Sequence, residues 1–110
     1  MVKNILNNYT ENHKLDFKQI EEHVAKLKIL MHPVRFAIMV ILVKNKKMNV
    51  TEIYRELSVQ QAAVSNHLKL MKTNDILCSE REGKNTFYSV NDEALKRVFE
   101  CVKLGINDEY

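Results

Sequence analysis

The chain has 110 residues, of which 45% are hydrophobic and 28% charged, a composition typical of one globular domain rather than of a disordered chain. Only two glycines and one proline are present, so a loop-rich or all-β fold is disfavoured and helices are expected to dominate. The formal net charge of +3 permits a nucleic-acid partner but does not select one.

The sequence shows no pattern of a targeting or membrane segment. Its first residues, MVKNILNNYTENHK, lack the apolar centre of a signal peptide. The longest apolar run, residues 36–43, is far shorter than the roughly 20 residues of a membrane-spanning helix. We therefore expect a cytoplasmic protein with no membrane partner. Residues 1–14 are predicted to be a flexible N-terminal arm, residues 15–104 the folded domain and residues 105–110 a C-terminal tail.

Two helices are predicted in the first half of the domain. From Leu15 to Met31, apolar residues recur at three- and four-residue steps, as in an amphipathic helix. Pro33 disfavours helical geometry in the residue before it but suits the first turn of a helix, so the first helix should end near His32 and the second begin at Pro33. The second helix, VRFAIMVILVK, is apolar on nearly every side, which is typical of a central, buried helix.

A short helix and a longer one follow, with a brief turn between them. Asn49 followed by Glu52 resembles a capping box, which predicts a third helix over residues 50–57. After only two further residues, a fourth helical period starts at Gln60. Two short helices joined by so brief a turn outline a helix-turn-helix motif.

The fourth helix has one apolar and one polar face when its residues are placed at 100° per step. The apolar face is formed by Val64, His67, Leu68 and Met71. The polar face is formed by Gln61, Ala62, Ser65, Asn66, Lys69, Lys72 and Thr73. This second face has no acidic group and carries the side-chain types that read base edges or hold phosphates in the major groove. An ordinary solvated face is the alternative, because glutamine and lysine are also common on exposed helices.

A β-hairpin is predicted after the fourth helix, in the segment ILCSEREGKNTFYSV. Residues 76–81 and 86–90 are β-prone and flank the polar turn EGKN. Arg81 and Lys84 lie near its tip, where they would contact phosphates or enter a minor groove, unless the hairpin is merely solvated. A helix-turn-helix followed directly by a basic hairpin is a winged helix, so we predict a mainly α fold of about five helices with a two-stranded wing.

A last helix is predicted from about Asp92 to Leu104, with an apolar stripe that exceeds the needs of a small monomeric core. We predict that the first and last helices form the surface of a homodimer. The alternative is that both helices complete the core of a single chain. The residues assigned to the dimer surface are Ile20, Val24, Leu27, Leu95, Val98, Phe99 and Val102.

Three segments carry specific motifs in a defined order: LKILMHPVRFAIMVIL, then VTEIYRELSVQQAAVSNHLKLMKTNDIL, then EREGKNTFYSV. Their most specific parts are His32-Pro33-x-Arg35, Val64-Ser65-x-His67-Leu68 and Arg81-x-Gly83-x-x-x-x-Tyr88. In content, order and spacing, residues 27–90 are similar to the arsenic-repressor (ArsR) family of bacterial winged-helix regulators. The resemblance implies a homodimer on an inverted-repeat operator of double-stranded DNA, with one recognition helix per half-site, that represses transcription until a signal releases it.

The resemblance also implies roles for individual residues. DNA contacts carry over to Gln61, Ala62, Ser65, Asn66 and Lys69 of the recognition helix and to Arg81 and Lys84 of the wing. His67 is implied to support the recognition helix from its inward side, as a packing residue rather than a metal ligand. The family's usual serine at the start of this helix is replaced by Gln60, which predicts a weak cap.

The signal-sensing sites of the family are not matched. Many members bind metals through cysteines in the third helix or an aspartate–histidine pair along the last helix, and neither set is present, so no metal or cofactor is expected. A site improvised from His13, His23 and His32 is the remaining metal alternative. Cys101 alone matches a redox position, and a disulfide between two copies of it is the alternative to a buried, inert thiol. The effector stays unknown.

The sequence gives less support to two other classes of function. An enzyme is disfavoured because the sequence has no glycine-rich phosphate loop, no paired-cysteine metal motif and no local nucleophile signature. A winged helix used for protein contact is the stronger alternative. It would have a recognition face free of base-reading groups, whereas this one has Gln61, Asn66 and Lys69. We therefore predict sequence-specific binding to double-stranded DNA.

Overall fold

The computed structural model describes the backbone of residues 16–107 and the side chains of residues 16–100. The helices in this part are α1 (Phe17–Leu30), α2 (Pro33–Asn45), α3 (Val50–Leu57), α4 (Gln61–Thr73) and α5 (Asp92–Asn107). The strands are β1 (Met48–Asn49), β2 (Leu77–Glu82) and β3 (Asn85–Val90). None of the described helices combines the length and the apolar content needed to cross a bilayer. The predicted winged helix-turn-helix is confirmed: α3 and α4 form the motif and the β2–β3 hairpin follows it directly.

The junction of α1 and α2 lies where the proline predicts. Helix α1 ends at Leu30, and the N–H of Met31 closes its last turn. His32 is the N-cap of α2, because its Nδ1 accepts a hydrogen bond from the Val34 N–H at 3.1 Å. Pro33 occupies the first helical position, where its missing N–H costs nothing.

The two helices of the helix-turn-helix motif begin differently. Asn49 and Glu52 form the predicted capping box: each side chain accepts a hydrogen bond from the other residue's N–H, at 2.9 Å. Ser58, in a left-handed conformation with φ of 54°, ends α3. Gln60 is the N-cap of α4 but makes no side-chain capping hydrogen bond, as the glutamine predicts.

The wing is a hairpin with a two-residue turn, tighter than the four-residue turn predicted. Its register runs from the Leu77–Val90 pair at the base to the Glu82–Asn85 pair at the tip. Gly83, the first turn residue, has φ of 64°, a conformation that the first central position of a type II′ turn requires and that glycine adopts without strain.

A third strand, β1, was not predicted. Met48 pairs with Tyr88 and Asn49 with Phe87, so that β1 lies antiparallel to β3 and the sheet order is β1-β3-β2. Two residues between two helices carry no alternating pattern, which is why the sequence did not reveal this strand. Its effect is to tie the wing to the segment that links α2 and α3.

The core lies between α2, α3, α4 and the base of the wing. Its most deeply buried side chains are Ile38, Leu42, Ile53, Val64, Leu68, Met71 and Ile76. Val64, Leu68 and Met71 belong to the apolar face predicted for α4, and all three are fully buried. Since one face of α4 is held in the core, the opposite face must point outward.

Helix α2 is less buried than its sequence predicts. Ile38, Met39 and Leu42 lie in the core, but the other side of the helix is exposed at Phe36, Val40 and Val43. The prediction of a central, buried helix is therefore wrong for this side of α2. A domain of this size has too few elements to surround a helix completely.

The residues assigned to the dimer surface divide into two groups. Leu95 and Val98 are buried within the single chain, where α1 and α5 pack together. For these two side chains, the assignment to a dimer surface is corrected to the core of the monomer. The other described members are half-buried or exposed: Ile20, Leu27, Val24 and Phe99. Val102 lies outside the described side chains.

The two helix caps give a stability prediction. Asn49→Ala is expected to lower the free energy of unfolding by about 1 kcal/mol, because the Glu52 N–H loses its acceptor. Gln60→Ser is expected to raise it by up to about 1 kcal/mol, because serine can cap α4. Equilibrium urea unfolding measures both changes. Gln19→Ser, at an exposed position in α1, is the matched control and should bring no gain. A Gln60→Ser protein no more stable than this control would contradict the account of the α4 cap.

Candidate nucleic-acid interface

The polar face of α4 is open to solvent along its whole length. All the side chains assigned to DNA on this helix are exposed: Gln61, Ala62, Ser65, Asn66, Lys69 and Lys72. The helix contains no aspartate or glutamate. The ion pairs among the described residues, Lys47–Glu82 and Arg97–Glu93, involve neither lysine of this face. The face is therefore an uncompensated, positively charged surface that carries amide and hydroxyl groups.

The wing brings two more basic side chains to the surface. Arg81 and Lys84 are both exposed at the tip of the hairpin, and the Arg81 Nε donates a hydrogen bond to the Gly83 carbonyl at 3.3 Å. Two carboxylates, Glu80 and Glu82, are exposed on the same strand. The wing is therefore basic at its turn but mixed in charge along β2.

The base of the wing is anchored to the end of α4. The N–H of Ile76 donates to the Met71 carbonyl at 2.9 Å, after a sharp bend at Asp75 with φ of 60°. Asn91, which follows β3, donates from its side chain to the Asp75 carbonyl and from its backbone to the Ile76 carbonyl, each at 2.9 Å. These bonds hold the hairpin at the C-terminal end of the recognition helix.

A cluster of three polar side chains supports α4 from inside: His32, Arg35 and His67. The Nη1 of Arg35 donates to the Nδ1 of His67 at 3.3 Å, and its Nε donates to the Ile29 carbonyl at 2.6 Å. The ring of His32 lies 4.7 Å from that of His67, measured between centroids. One guanidinium thus connects the end of α1 to the recognition helix, which gives His67 the supporting role that the resemblance implied.

The hydrogen bond defines the state of His67. A guanidinium only donates, so the Nδ1 must be the unprotonated acceptor and the neutral ring carries its hydrogen on Nε2. Burial lowers the pKa of His67 below its ordinary value, and the electrostatic interactions of its ring with His32 and with the Arg35 guanidinium lower it further. His67 is therefore held in the neutral form inside the fold.

Lys47 contacts the wing, which the sequence did not reveal. Its Nζ forms an ion pair with the Glu82 carboxylate at 2.5 Å and lies 5.1 Å from the centroid of the Phe87 ring. The hydrogen bond to Glu82 raises the pKa of Lys47, and the charges of Glu82 and Glu80 act in the same direction although partial desolvation opposes them. The sequence gives no sign of this contact, because the partner of Lys47 is 35 residues away.

The described residues add no support for the two alternative sensing sites, the histidine metal site and the Cys101 disulfide. Among residues 16–100, no three histidine, cysteine or acidic side chains converge on a point where a metal ion could bind. His13 and Cys101 lie outside the described side chains. Cys78 is an exposed residue of β2, as predicted for a simple strand residue.

Known proteins are similar to this chain in sequence and in fold. The model of a family described as "Bacterial regulatory protein, arsR family" matches residues 32–77. The chain is 33% identical over 91 residues to the transcriptional repressor PagR of Bacillus anthracis, a match that covers 83% of this chain and 91% of PagR. It is 28% identical over 83 residues to the regulator YgaV of Escherichia coli, covering 76% and 84% of the two chains.

A solved structure extends the similarity to the fold. The crystal structure of PagR matches with a TM-score of 0.68 at 31% identity, and the match covers 79% of this chain and 99% of that one. The family match spans α2, α3 and α4 and includes all three members of the His32–Arg35–His67 cluster. The matched range thus covers the helix-turn-helix and the positions of the side chains that support it.

The cluster gives a prediction for acid pH. Since the pKa of His67 is lowered in the folded state, the unfolded chain takes up a proton first as the pH falls. The stability due to neutral His67 is complete above pH 6.5 and is lost as the pH falls from there through the folded-state pKa. His67→Gln should therefore lose less stability than the wild type between about pH 7.5 and about pH 5.5, measured by urea unfolding.

His23→Gln is the control for this prediction, because His23 lies on α1 outside the cluster. The free energy of unfolding of this variant should fall with pH as it does in the wild type, because His67 is still present. A His67→Gln protein with the same acid sensitivity as the wild type would contradict the assigned role.

Proposed function

This chain belongs to the arsR family of bacterial regulatory proteins and is a DNA-binding transcriptional regulator, and we propose that it acts as a homodimeric repressor on an inverted-repeat operator. The observation that carries the proposal is the acid-free, exposed face of α4, which the buried Val64, Leu68 and Met71 turn outward. The name of PagR, a transcriptional repressor, supports repression.

The proposal assigns α4 to the major groove. Gln61 and Asn66 carry amides that can bond to the exposed edge of adenine, and Ser65 beside them offers a hydroxyl to a base or a phosphate. Ala62 is small enough for the helix to approach the groove closely. Lys69 and Lys72 lie further along the helix and are suited to a base edge and to phosphates, respectively.

The wing is assigned to the DNA beside this groove. Arg81 and Lys84 are exposed at the tip of a hairpin that is anchored at the end of α4. Basic side chains at such a position add phosphate contacts that fix the orientation of the recognition helix. Helix and wing together form the proposed surface for double-stranded DNA.

The homodimer is proposed through α1 and α5. An inverted repeat needs two recognition helices related by a twofold axis, so a single chain would read only half of the operator. The outer sides of the two packed helices keep large apolar side chains in solvent, with Val24 exposed to 41% and Phe99 to 44%. Phe17, seven residues before Val24 on the same side of α1, is also exposed. A second copy of the chain would bury these groups.

The protein-contact alternative is less well supported. The family is one of transcriptional regulators and not of enzymes, and the recognition face has the side chains expected of a DNA reader. A surface evolved for protein contact alone would typically offer aromatic and apolar anchors, and the exposed face of α4 offers mainly amides, a hydroxyl and lysines.

The division of roles gives a prediction for DNA binding. Lys72→Ala and Lys84→Ala are expected to weaken binding to operator and random duplexes alike. Each should reduce the slope of log K against log salt by about 2, because each change removes one phosphate contact from both halves of the dimer. Gln61→Ala and Asn66→Ala are expected to remove about 1–3 kcal/mol of discrimination between the operator and its single-base variants. Fluorescence anisotropy at several salt concentrations measures both effects.

Lys96→Ala is the control for lost charge, because Lys96 is exposed on α5, away from both assigned DNA surfaces. It should change neither the slope nor the discrimination by a comparable amount. Equal losses on operator and random duplexes for all four variants would refute the division into base readers and phosphate holders.

The proposed dimer surface gives a prediction for assembly. The wild type should sediment as a dimer at micromolar concentration, whereas Val24→Asp and Phe99→Asp should shift it towards monomer, because a buried unpaired carboxylate opposes association. Phe36→Asp is the matched control, since Phe36 is an exposed aromatic residue on α2, at 53% exposure, that is not assigned to the interface. A monomeric wild type, or a monomer produced by Phe36→Asp alone, would overturn the assignment to α1 and α5.

A further inference from the structure

We propose that Lys47, in the link between α2 and β1, is a positioning residue for DNA binding that offsets part of the negative charge of the wing's carboxylates. The proposal rests on the proposed function, since it takes the wing to contact DNA. The partner of Lys47 is Glu82. The pairing reduces the repulsion that this carboxylate would exert on phosphates in contact with Arg81 and Lys84.

The wing carries carboxylates beside its basic side chains, and the hairpin has no further basic residue to compensate them. Glu80 and Glu82 lie on either side of Arg81 in β2, and all three side chains are exposed. A carboxylate near the DNA repels phosphates over a distance of about 8 Å at physiological salt. Without compensation, the two glutamates would cancel much of the attraction that Arg81 and Lys84 provide.

The register of the sheet places the acidic side chains together. Residues two apart in a strand share a face, so Glu80 and Glu82 lie on one face of the wing and Arg81 on the other. Phe87 is paired with Glu80 and therefore belongs to the acidic face. The Nζ of Lys47 lies both beside the Glu82 carboxylate and over the Phe87 ring, so it covers this face.

The backbone holds Lys47 in this position. Its N–H donates to the Asn45 carbonyl at 2.9 Å, and the next residue, Met48, is buried and paired with Tyr88 of the wing. The strand that the sequence did not reveal thus brings a lysine from outside the hairpin to the hairpin's acidic face. The hydrogen bond with Glu82 raises the pKa of Lys47, so the compensating charge is present throughout the physiological pH range.

The pair is better suited to an electrostatic role than to a stabilising one. The side chains of Lys47 and Glu82 are about half exposed, and ion pairs at the surface contribute little to folding. Removal of Lys47 should therefore leave the fold intact and uncover a negative charge beside the DNA.

A double-mutant cycle on the full chain tests the proposal, with Kd for an operator duplex selected by the wild type as the readout. Lys47→Ala is expected to weaken binding by up to about fivefold at low salt. In the Glu82→Gln background, which removes the charge but keeps the shape, the same change should cost much less. The loss caused by Lys47→Ala alone should shrink as salt is raised, because screening weakens the repulsion. Lys46→Ala, the neighbouring exposed lysine, is the control for general loss of charge.

Three outcomes would overturn the proposal, each for a different reason. If Lys47→Ala costs the same factor with and without the Glu82 carboxylate, Lys47 contacts DNA itself or acts only on the fold, and the proposal is wrong. If the loss persists at high salt, a purely structural role is indicated and the proposal is also wrong. If the wild type selects no duplex, the proposed function fails and the role of Lys47 falls with it.

Discussion

The burial of one face of α4 determines what the rest of the molecule can do. Val64, Leu68 and Met71 are fully buried, and each such side chain contributes roughly 1.5–3 kcal/mol relative to exposure. No contact on the polar side of the helix is comparable in strength. The rotation of α4 about its axis is therefore set by the core, and the row of amides and lysines faces outward as a consequence. The function depends on this orientation before it depends on any single polar residue.

The core determines the position of α4, and polar contacts on both sides of the helix add to it. On the inner side, Arg35 links the Ile29 carbonyl to His67, so that α4 is connected to the end of α1 as well as to the helices around it. On the outer side, Asn91 anchors the base of the wing, and Lys47 forms an ion pair with Glu82 near its tip. These bonds are individually weak, but each joins different parts of the fold. Together they relate the recognition helix, the wing and the α1–α5 surface within one small domain.

Much of this arrangement could be predicted from the sequence because it depends on local signals. The proline at position 33, the Asn49–Glu52 capping box and the alternation of apolar and polar residues around α4 act within a few residues, and the structure has the corresponding helix ends and faces. The wing follows from β-prone segments around a glycine turn. The resemblance to the ArsR family rests on the same segments.

The features that were missed depend on contacts between distant residues. The apolar pattern of α2 does not show that Phe36 would stay exposed, since this depends on how many elements surround the helix. Similarly, the stripe of α5 does not separate Leu95, which packs in the monomer, from Phe99, which stays outside. The pairing of Lys47 with Glu82 requires β1 to join the wing, and two residues of strand leave no pattern to detect.

Selection of duplexes from a random pool would show whether the outward face of α4 reads DNA in a dimer. The account predicts enrichment of an inverted repeat whose half-sites are about one helical turn apart, bound by two chains per duplex. Failure to enrich any sequence with a protein that is folded and dimeric would contradict the account and would favour a winged helix that binds another protein.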